Sequence, residues 1–542
     1  MKSFIRRHPL LSVFAFVTVC VLPMMLFRDP SPSNELRYLG IVDEALKGGH
    51  FFCFFDNGIP YTDKPPLFFW ILMFLRLFCS ATCMWLPCIL TALLPTFITV
   101  AVMDKWLRLN AGNGEITTLQ RLLAVAVMLG GMLIMLQTFY LRMDMLMTMF
   151  IVLALYTFYK LYICQSKRTD KWLLGLYIFL ALFSKGPVGI LVPVVTIVVF
   201  LALERKLGRI WEFLGWRQWL LMLLLFGGWI LGAYLEGGRE YINSLLFHQT
   251  LDRAVNAFAH KQPFWYYLGA ILYCVLPYTL LVIPALIYLY IKPAKGNTYE
   301  RVLLTAISVT FVMLSAFSGK LAIYLTPILP LIAYLMPVFD ITTSARANGL
   351  KKAAVIVSAA IIMILGAALW TLYLAHGSEP FSLMAFALAL ELPYLFCTTL
   401  LAIAAVFALA GLGSIIVTCV GGWQKGAIAM FVTMFLAVFA AGLTIEPLNE
   451  WTAYEKVAEA ALQASDGGNI NTLYMNRPEN MDIYLDSEVT DFGNDVDAFL
   501  TGDRRGGVLI VPTAKAREST SLKEYLESSE GTTVGPYTVY GL

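Results

Sequence analysis

The sequence predicts an all-α polytopic membrane protein with a small C-terminal α/β domain, on three observations. First, 59% of its 542 residues are hydrophobic and only 14% are charged, whereas a soluble domain carries roughly 25% charged residues. Second, the apolar residues fall in runs that approach the about 20 residues needed to cross a bilayer as a helix. Third, the charge is unevenly divided. The formal net charge of +3 conceals 17 acidic and 7 basic residues from Glu446 onward, against 19 acidic and 32 basic before it. These features exclude a soluble enzyme, a disordered chain and a nucleic-acid partner. The nine cysteines stand singly, mostly inside apolar runs and none in the tail, so they form neither a disulfide framework nor a CxxC metal pattern.

About 13 transmembrane helices are expected, at 9–27, 84–104, 121–139, 144–163, 171–184, 187–204, 217–236, 266–291, 302–317, 321–339, 353–375, 393–419 and 426–445. The first follows Arg6 and Arg7 but ends in Phe27-Arg28-Asp29-Pro30, without a small-residue cleavage site; it reads as an anchor. The run Leu67–Cys79 follows Pro65-Pro66 and is too short to span, so it is expected to lie in the interface. This divides the chain into a transmembrane domain, 1–446, with a first outer loop at 28–83, and a soluble extracytoplasmic domain, 447–542. In the latter, helices are expected at 455–464 and 521–528, and strands at 472–475, 483–485, 508–511 and 538–540.

Basic residues favour the cytoplasmic side of short loops. With the N-terminus inside, the inner loops carry Lys105 and Arg108; Lys160, Lys167 and Arg168; Arg205, Lys206 and Arg209; Lys292, Lys295 and Arg301; Arg346, Lys351 and Lys352; and Lys425. The acidic tail then lies outside. The same assignment leaves a minority of basic residues on the outer side, several beside carboxylates in Pro- or Gly-punctuated stretches: Asp63-Lys64-Pro65-Pro66, Arg142-Met143-Asp144, Lys185-Gly186-Pro187 and Ser318-Gly319-Lys320. Single residues of this kind can snorkel into the headgroup layer. Four such motifs at one face point instead to a shared anionic site, because ammonium and guanidinium groups make charge-assisted hydrogen bonds to phosphate oxygens. Apolar helices beneath suit a lipid tail, and the carboxylates suit a general base for a hydroxyl nucleophile.

The first outer loop, Asn34-Glu35-Leu36-Arg37-Tyr38 followed by Tyr61-Thr62-Asp63-Lys64-Pro65-Pro66, resembles that of the bacterial lipid A aminoarabinose transferases and, more loosely, the protein O-mannosyltransferases. The resemblance continues in family order through Arg142-Met143-Asp144, Lys185-Gly186-Pro187, His260-Lys261-Gln262-Pro263-Phe264-Trp265-Tyr266-Tyr267 and Ser318-Gly319-Lys320-Leu321. It implies a GT-C fold and an integral-membrane glycosyltransferase of the bacterial inner membrane. Its donor would be a polyprenyl-phosphate-linked sugar, and its acceptor a lipid, glycan or protein of the envelope, met at the periplasmic face.

Carried over position by position, the resemblance gives Arg37 and Lys64 to the lipid phosphate, and Asn34, Tyr38, Tyr61, Arg142, Lys185 and Lys320 to substrate binding. The family signature has a catalytic Asp where this chain has Asn34, which cannot serve as a base, so Glu35 and Asp144 are the catalytic candidates. The bland alternative for Asn34-Glu35 is an N-cap and first turn of a helix ending near Gly48-Gly49. Asp63 and His260 match a metal-binding pair and imply a divalent, zinc-like ion, with His248 a third ligand to consider. A polytopic transporter or flippase and a catalytically lapsed homologue are the competing readings. A transporter would place its charges near the bilayer midplane on interrupted helices in repeated halves.

Overall fold

The computed structural model describes residues 7–80, 82–111, 116–245, 260–292, 297–344, 347–375, 398–485, 489–501, 507–527 and 529–542. Among the described residues, nine helices have the length and apolarity to cross a membrane: Pro9–Phe27, Trp85–Asn110, Asp144–Tyr162, Trp216–Asn243, Thr298–Ala316, Ala322–Thr342, Ala347–Thr371, Thr398–Gly421 and Trp423–Leu443. Shorter apolar helices occupy Leu67–Arg76, Thr118–Gly130, Val188–Leu203 and Thr279–Ile291, and Asp170–Lys185 forms a further helix.

Helix Asp144–Tyr162 lies in the middle of the bundle, packed against Leu94–Ala111, Asp170–Lys185 and Val188–Leu203. It is buried on almost every face, which is what a helix apolar all round requires. Trp216–Asn243 and Thr398–Gly421 are peripheral and turn leucines such as Leu223, Leu235 and Leu409 outward. With no packed neighbour there among the described residues, lipid is the matching solvent for such faces.

Two expected spans are interrupted. The 121–139 run divides at Gly131 into Thr118–Gly130 and Met132–Gln137. The 266–291 run divides into Tyr266–Cys274 and Thr279–Ile291, because Pro277 offers no N–H to the helical ladder. The two breaks meet, and the Met132 N–H donates to the Leu276 carbonyl at 2.8 Å. Each interruption thereby satisfies a backbone group exposed by the other.

The Lys185-Gly186-Pro187 turn has a steric cause. Gly186 sits at φ +119°, a region that only glycine enters readily. Beyond it, a Cβ on Gly189 would lie 2.1 Å from the Ala181 carbonyl oxygen. The chain therefore doubles back tightly, with Lys185 at the rim.

The chain from Glu455 onward folds as a five-stranded mixed sheet, in the order Thr490–Asp491, Ile470–Thr472, Val508–Pro512, Tyr537–Gly541, Gly531–Val534. The first three strands are parallel and the last two join antiparallel. Alternation along the central strand sends Val508 and Ile510 into one core with helix Glu455–Ser465, and Leu509 and Val511 into another with Phe499 and Leu522, as the two-residue strand period dictates. The strand expected at 483–485 is instead part of a helical turn, Asp482–Leu485, that continues a 3₁₀ turn at Pro478–Met481. This segment packs both ways: Met481 and Leu485 enter the core with Val508 and Ile510 of the sheet, and Asn480 Nδ2 donates to the Pro32 carbonyl of the loop after the first helix at 2.7 Å. Leu36 of that loop is buried in the core under helix Glu455–Ser465.

Candidate functional site

The loop after Pro9–Phe27 makes a π-turn at Pro32–Leu36, then helix Arg37–Gly48, which Gly49 stops at φ +70°. A hairpin of Phe55–Asp56 and Ile59–Pro60 follows, then Tyr61-Thr62-Asp63-Lys64, then the short helix Leu67–Arg76. Arg37, in the first turn of its helix, donates from Nε to Asp56 Oδ2 at 2.6 Å, and its guanidinium lies 4.7 Å from the Tyr61 ring centroid. Tyr38 is buried against the edges of Phe68 and Phe69. Burial pushes its phenol up to about 12, and it lies in the fields of Arg142, Asp144, Arg37 and Asp63. The Tyr61 phenol is also raised by burial, with Tyr38, Asp63 and Arg37 as neighbours. Asp63 and Lys64 are half-buried at the turn into Pro65-Pro66.

Asp144 is the first residue of the central helix and is 1% exposed. Its Oδ1 is paired with the Lys185 ammonium and its Oδ2 lies 3.5 Å from Arg142 Nε. The Lys185 ammonium also stands 4.8 Å from the Tyr324 ring centroid. Arg142 Nε is buried and has no hydrogen-bond partner among the described residues. The ends of three helices and the helix-37 loop thus bring Arg37, Tyr38, Tyr61, Asp63, Arg142, Asp144, Lys185 and Tyr324 into one connected constellation. Cations, phenols and carboxylates there surround a buried, under-used guanidinium donor.

The other expected residues are placed differently. Lys320 is buried, but its ammonium donates to the Gln262 carbonyl at 3.0 Å and to the Phe317 carbonyl. Its backbone N–H donates to the His260 carbonyl at 3.0 Å. It ties the 260–262 segment to the 317–320 turn, and it is Tyr324, further along, that reaches Lys185. Asn34 is half-buried and donates to Ser33 Oγ at 3.2 Å.

Glu35 is 0% exposed and engaged on every side. It forms two 2.7 Å hydrogen bonds with Arg28 and accepts the Ser31 N–H at 2.9 Å and the Leu141 N–H at 2.7 Å. Burial alone would raise its pKa, but the Arg28 charge and these hydrogen bonds outweigh burial and hold the carboxyl below its ordinary range. Its two oxygens already take four donors, which leaves little acceptor capacity for a substrate proton. Arg28 was visible in the sequence as one of the outer basic residues, but nothing in the spacing paired it with Glu35 seven residues on.

Asp63 and His260 are the two metal ligands that the resemblance implies. His260 is exposed, His248 lies outside the described residues, and among the described residues no group of three or more His, Cys, Asp and Glu side chains is arranged to hold a metal ion. Two ligands do not make a closed zinc site.

No protein-family model matches the chain. It is 26% identical over 367 residues to an undecaprenyl phosphate-alpha-4-amino-4-deoxy-L-arabinose arabinosyl transferase of Shewanella sediminis, a match that covers 66% of this chain and 64% of the relative. It is 25% identical over 381 residues to the protein of the same name from Erwinia tasmaniensis, covering 68% of this chain and 66% of the relative. The chain thus spans just under two thirds of the length of these relatives. Its fold matches that of ArnT from Cupriavidus metallidurans bound to undecaprenyl phosphate, with a TM-score of 0.75 over 98% of both chains at 16% identity. The GT-C fold expected from the motifs, with its C-terminal domain, is the fold of this chain.

Proposed function

We propose that this chain is an integral-membrane glycosyltransferase that moves a sugar from a polyprenyl-phosphate donor, of the undecaprenyl phosphate class, to a hydroxyl or phosphate of an envelope acceptor such as lipid A. The observation that carries the reading is the Asp144–Lys185–Arg142 cluster beside Tyr38, Tyr324 and the Arg37–Tyr61 pair. It supplies several cations for one phosphate and a carboxylate for one proton. The likeness to proteins named for such a transfer supports the same reading.

Without donor, Asp144 is the counter-ion of Lys185 and Arg142. A donor phosphate takes over those cations through charge-assisted hydrogen bonds and frees a carboxylate oxygen to face the acceptor. The acceptor oxygen attacks the anomeric carbon, and its proton passes to Asp144. The bond from that carbon to the phosphate oxygen breaks, and its electron pair leaves with the polyprenyl phosphate. In this reading Arg37 and Lys64 receive the phosphate, and Tyr38 and Tyr61 wall the site. Lys320 acts at one remove, through the 260–262 segment. No step is routed through a metal; Asp63 and His260 are proposed as ligands only if a third donor completes the set, which zinc analysis of purified protein with and without Asp63→Ala reads directly.

The transfer is assigned to the periplasmic face of a bacterial inner membrane. The basic residues that the positive-inside rule assigns to the cytoplasm, among them Arg108, Lys160 and Lys351, pair with Asp104, Asp170 and Asp340 away from this constellation, and the C-terminal domain packs beside the site loop. The test is purified chain in nanodiscs with undecaprenyl-phosphate-linked 4-amino-4-deoxy-L-arabinose, the sugar named for the relatives, and lipid A. Labelled product is expected, together with free undecaprenyl phosphate. Donor left intact by folded protein across lipid A, glycan and protein acceptors, with a panel of other polyprenyl-linked sugars, would overturn the reading.

A further inference from the structure

A buried ion pair is weak support for stability. The cost of desolvating two charges often matches their attraction, and an apolar pair of similar volume is frequently as stable. What the Arg28–Glu35 pair does is therefore read from what else it holds. Arg28 follows the last residue of helix Pro9–Phe27, and Glu35 sits in the π-turn Pro32–Leu36. Their remaining bonds reach the strip 139–141: Arg28 Nη2 donates to the Phe139 carbonyl at 3.3 Å, its guanidinium lies 4.2 Å from the Tyr140 ring centroid, and Glu35 accepts the Leu141 N–H at 2.7 Å. Cys88 Sγ lies 3.4 Å from the same Phe139 carbonyl. Three consecutive residues are gripped, and the next in the chain is Arg142, followed by Met143 and Asp144. Helix geometry fixes the chain only from Asp144 onward, so this grip sets the approach of Arg142 and the angle at which Asp144 enters the site.

We infer that Arg28 and Glu35 are positioning residues: their buried pair clamps the 139–141 strip to the first loop and thereby registers Arg142 and Asp144 against Arg37 and Tyr38. The catalytic consequence rests on the function proposed above; the clamp itself does not. A displacement of about 1 Å at a reacting group can cost about 10²-fold in rate, so the pair acts on turnover without touching substrate.

The experiment has two arms on the full chain in nanodiscs, using Glu35→Gln, Glu35→Asp and the apolar pair Arg28→Met/Glu35→Leu, which keeps the protein folded should the single change fail. In the first, amide exchange of the peptide around Leu141 is followed. Loss of a bond to a charged acceptor predicts exchange faster by about tenfold or more in Glu35→Gln and in the apolar pair, an intermediate value in Glu35→Asp, and no change in Lys185→Met. Unchanged exchange in folded Glu35→Gln and apolar-pair protein overturns the clamp. In the second arm, the expected result is a kcat lower by about 10²-fold, with the acidic limb of the pH–rate profile kept, because the proposed base is chemically unaltered, and partial recovery in Glu35→Asp. Loss of that limb in Glu35→Gln, with rescue by added formate, would make Glu35 the base itself and overturn the positioning role. If exchange rises as expected while wild-type protein transfers no sugar, the proposed function fails and the clamp stands.

Discussion

The two ends of the helix bundle use the same residue types in opposite ways. At one end, Asp104 takes two bonds from Arg121 at 2.7 and 2.8 Å and meets a second cation, Arg108, at 3.0 Å. Asp340 accepts from Gln120, Gln424 and Lys351, and Asp170 from Lys160 and the Lys167 N–H. Each carboxylate is met by donors that the fold itself supplies. At the other end, Asp144 is shared between two cations, one of them held only at 3.5 Å. Lys185 divides itself between Asp144 and the face of Tyr324. A saturated cluster fastens helices, whereas an unsaturated one retains capacity for an anion from outside. Glu35 shows that saturation also occurs within the site end, one layer behind the groups that face substrate.

If that contrast holds, substitutions at the two ends separate activity from stability. Asp144→Asn gives the largest effect, lowering turnover per folded molecule by about 10²–10⁴-fold, the usual range for a lost general base, beyond whatever stability is lost when Lys185 gives up its buried counter-ion; turnover per folded molecule that stays at the wild-type level would erase the contrast. Asp104→Asn gives the converse: about 1–3 kcal/mol of stability, because Arg121 loses its charged acceptor, with unchanged activity per folded molecule. Thermal unfolding in detergent alongside single-turnover assays reads both. Tyr324→Leu sharpens the comparison within the site: losing a cation–π contact of about 0.5–1 kcal/mol should weaken donor binding a few-fold and leave the pH profile alone.

The smallest effect concerns docking of the C-terminal domain. Asp29 is half-buried between the bundle and that domain, and burial and the facing Glu455 carboxyl push its pKa from 3.8 up to about 7, against the pull of Arg28 and Lys456. An acid whose folded pKa is raised favours the folded state below its unfolded value and loses that contribution as pH rises through the folded one. The melting temperature should therefore fall between about pH 4 and pH 7, with Asp29→Asn flattening part of the slope.

Helices at most of the apolar runs, the short helix at 67–76, the helix ended by Gly49 and the strands at 508–511 and 538–540 were legible because each follows from a local rule: apolar length, a breaker or a two-residue period. The turn at 482–485 was not, because three apolar or aromatic residues in a row fit either element and contact with the first loop decided. The site was legible as a set of motifs in Asp63-Lys64, Arg142-Met143-Asp144 and Lys185-Gly186-Pro187, since charge on the minority side of a membrane protein stands out. Which members meet was not: Lys320 is turned to carbonyls and Tyr324 to Lys185, although both lie on the same short stretch.

The sequence by itself determined the class of fold, the polytopic bundle with its acidic α/β appendage, and the chemistry available at one face. Hydropathy and charge are sums over residues and need no knowledge of partners. Only the tertiary structure decided that Glu35 is held by Arg28 and Leu141 while Asp144 faces Lys185 and Arg142. A carboxylate's role depends on which donors reach it, and for Glu35 Arg28 lies seven residues away and Leu141 more than a hundred.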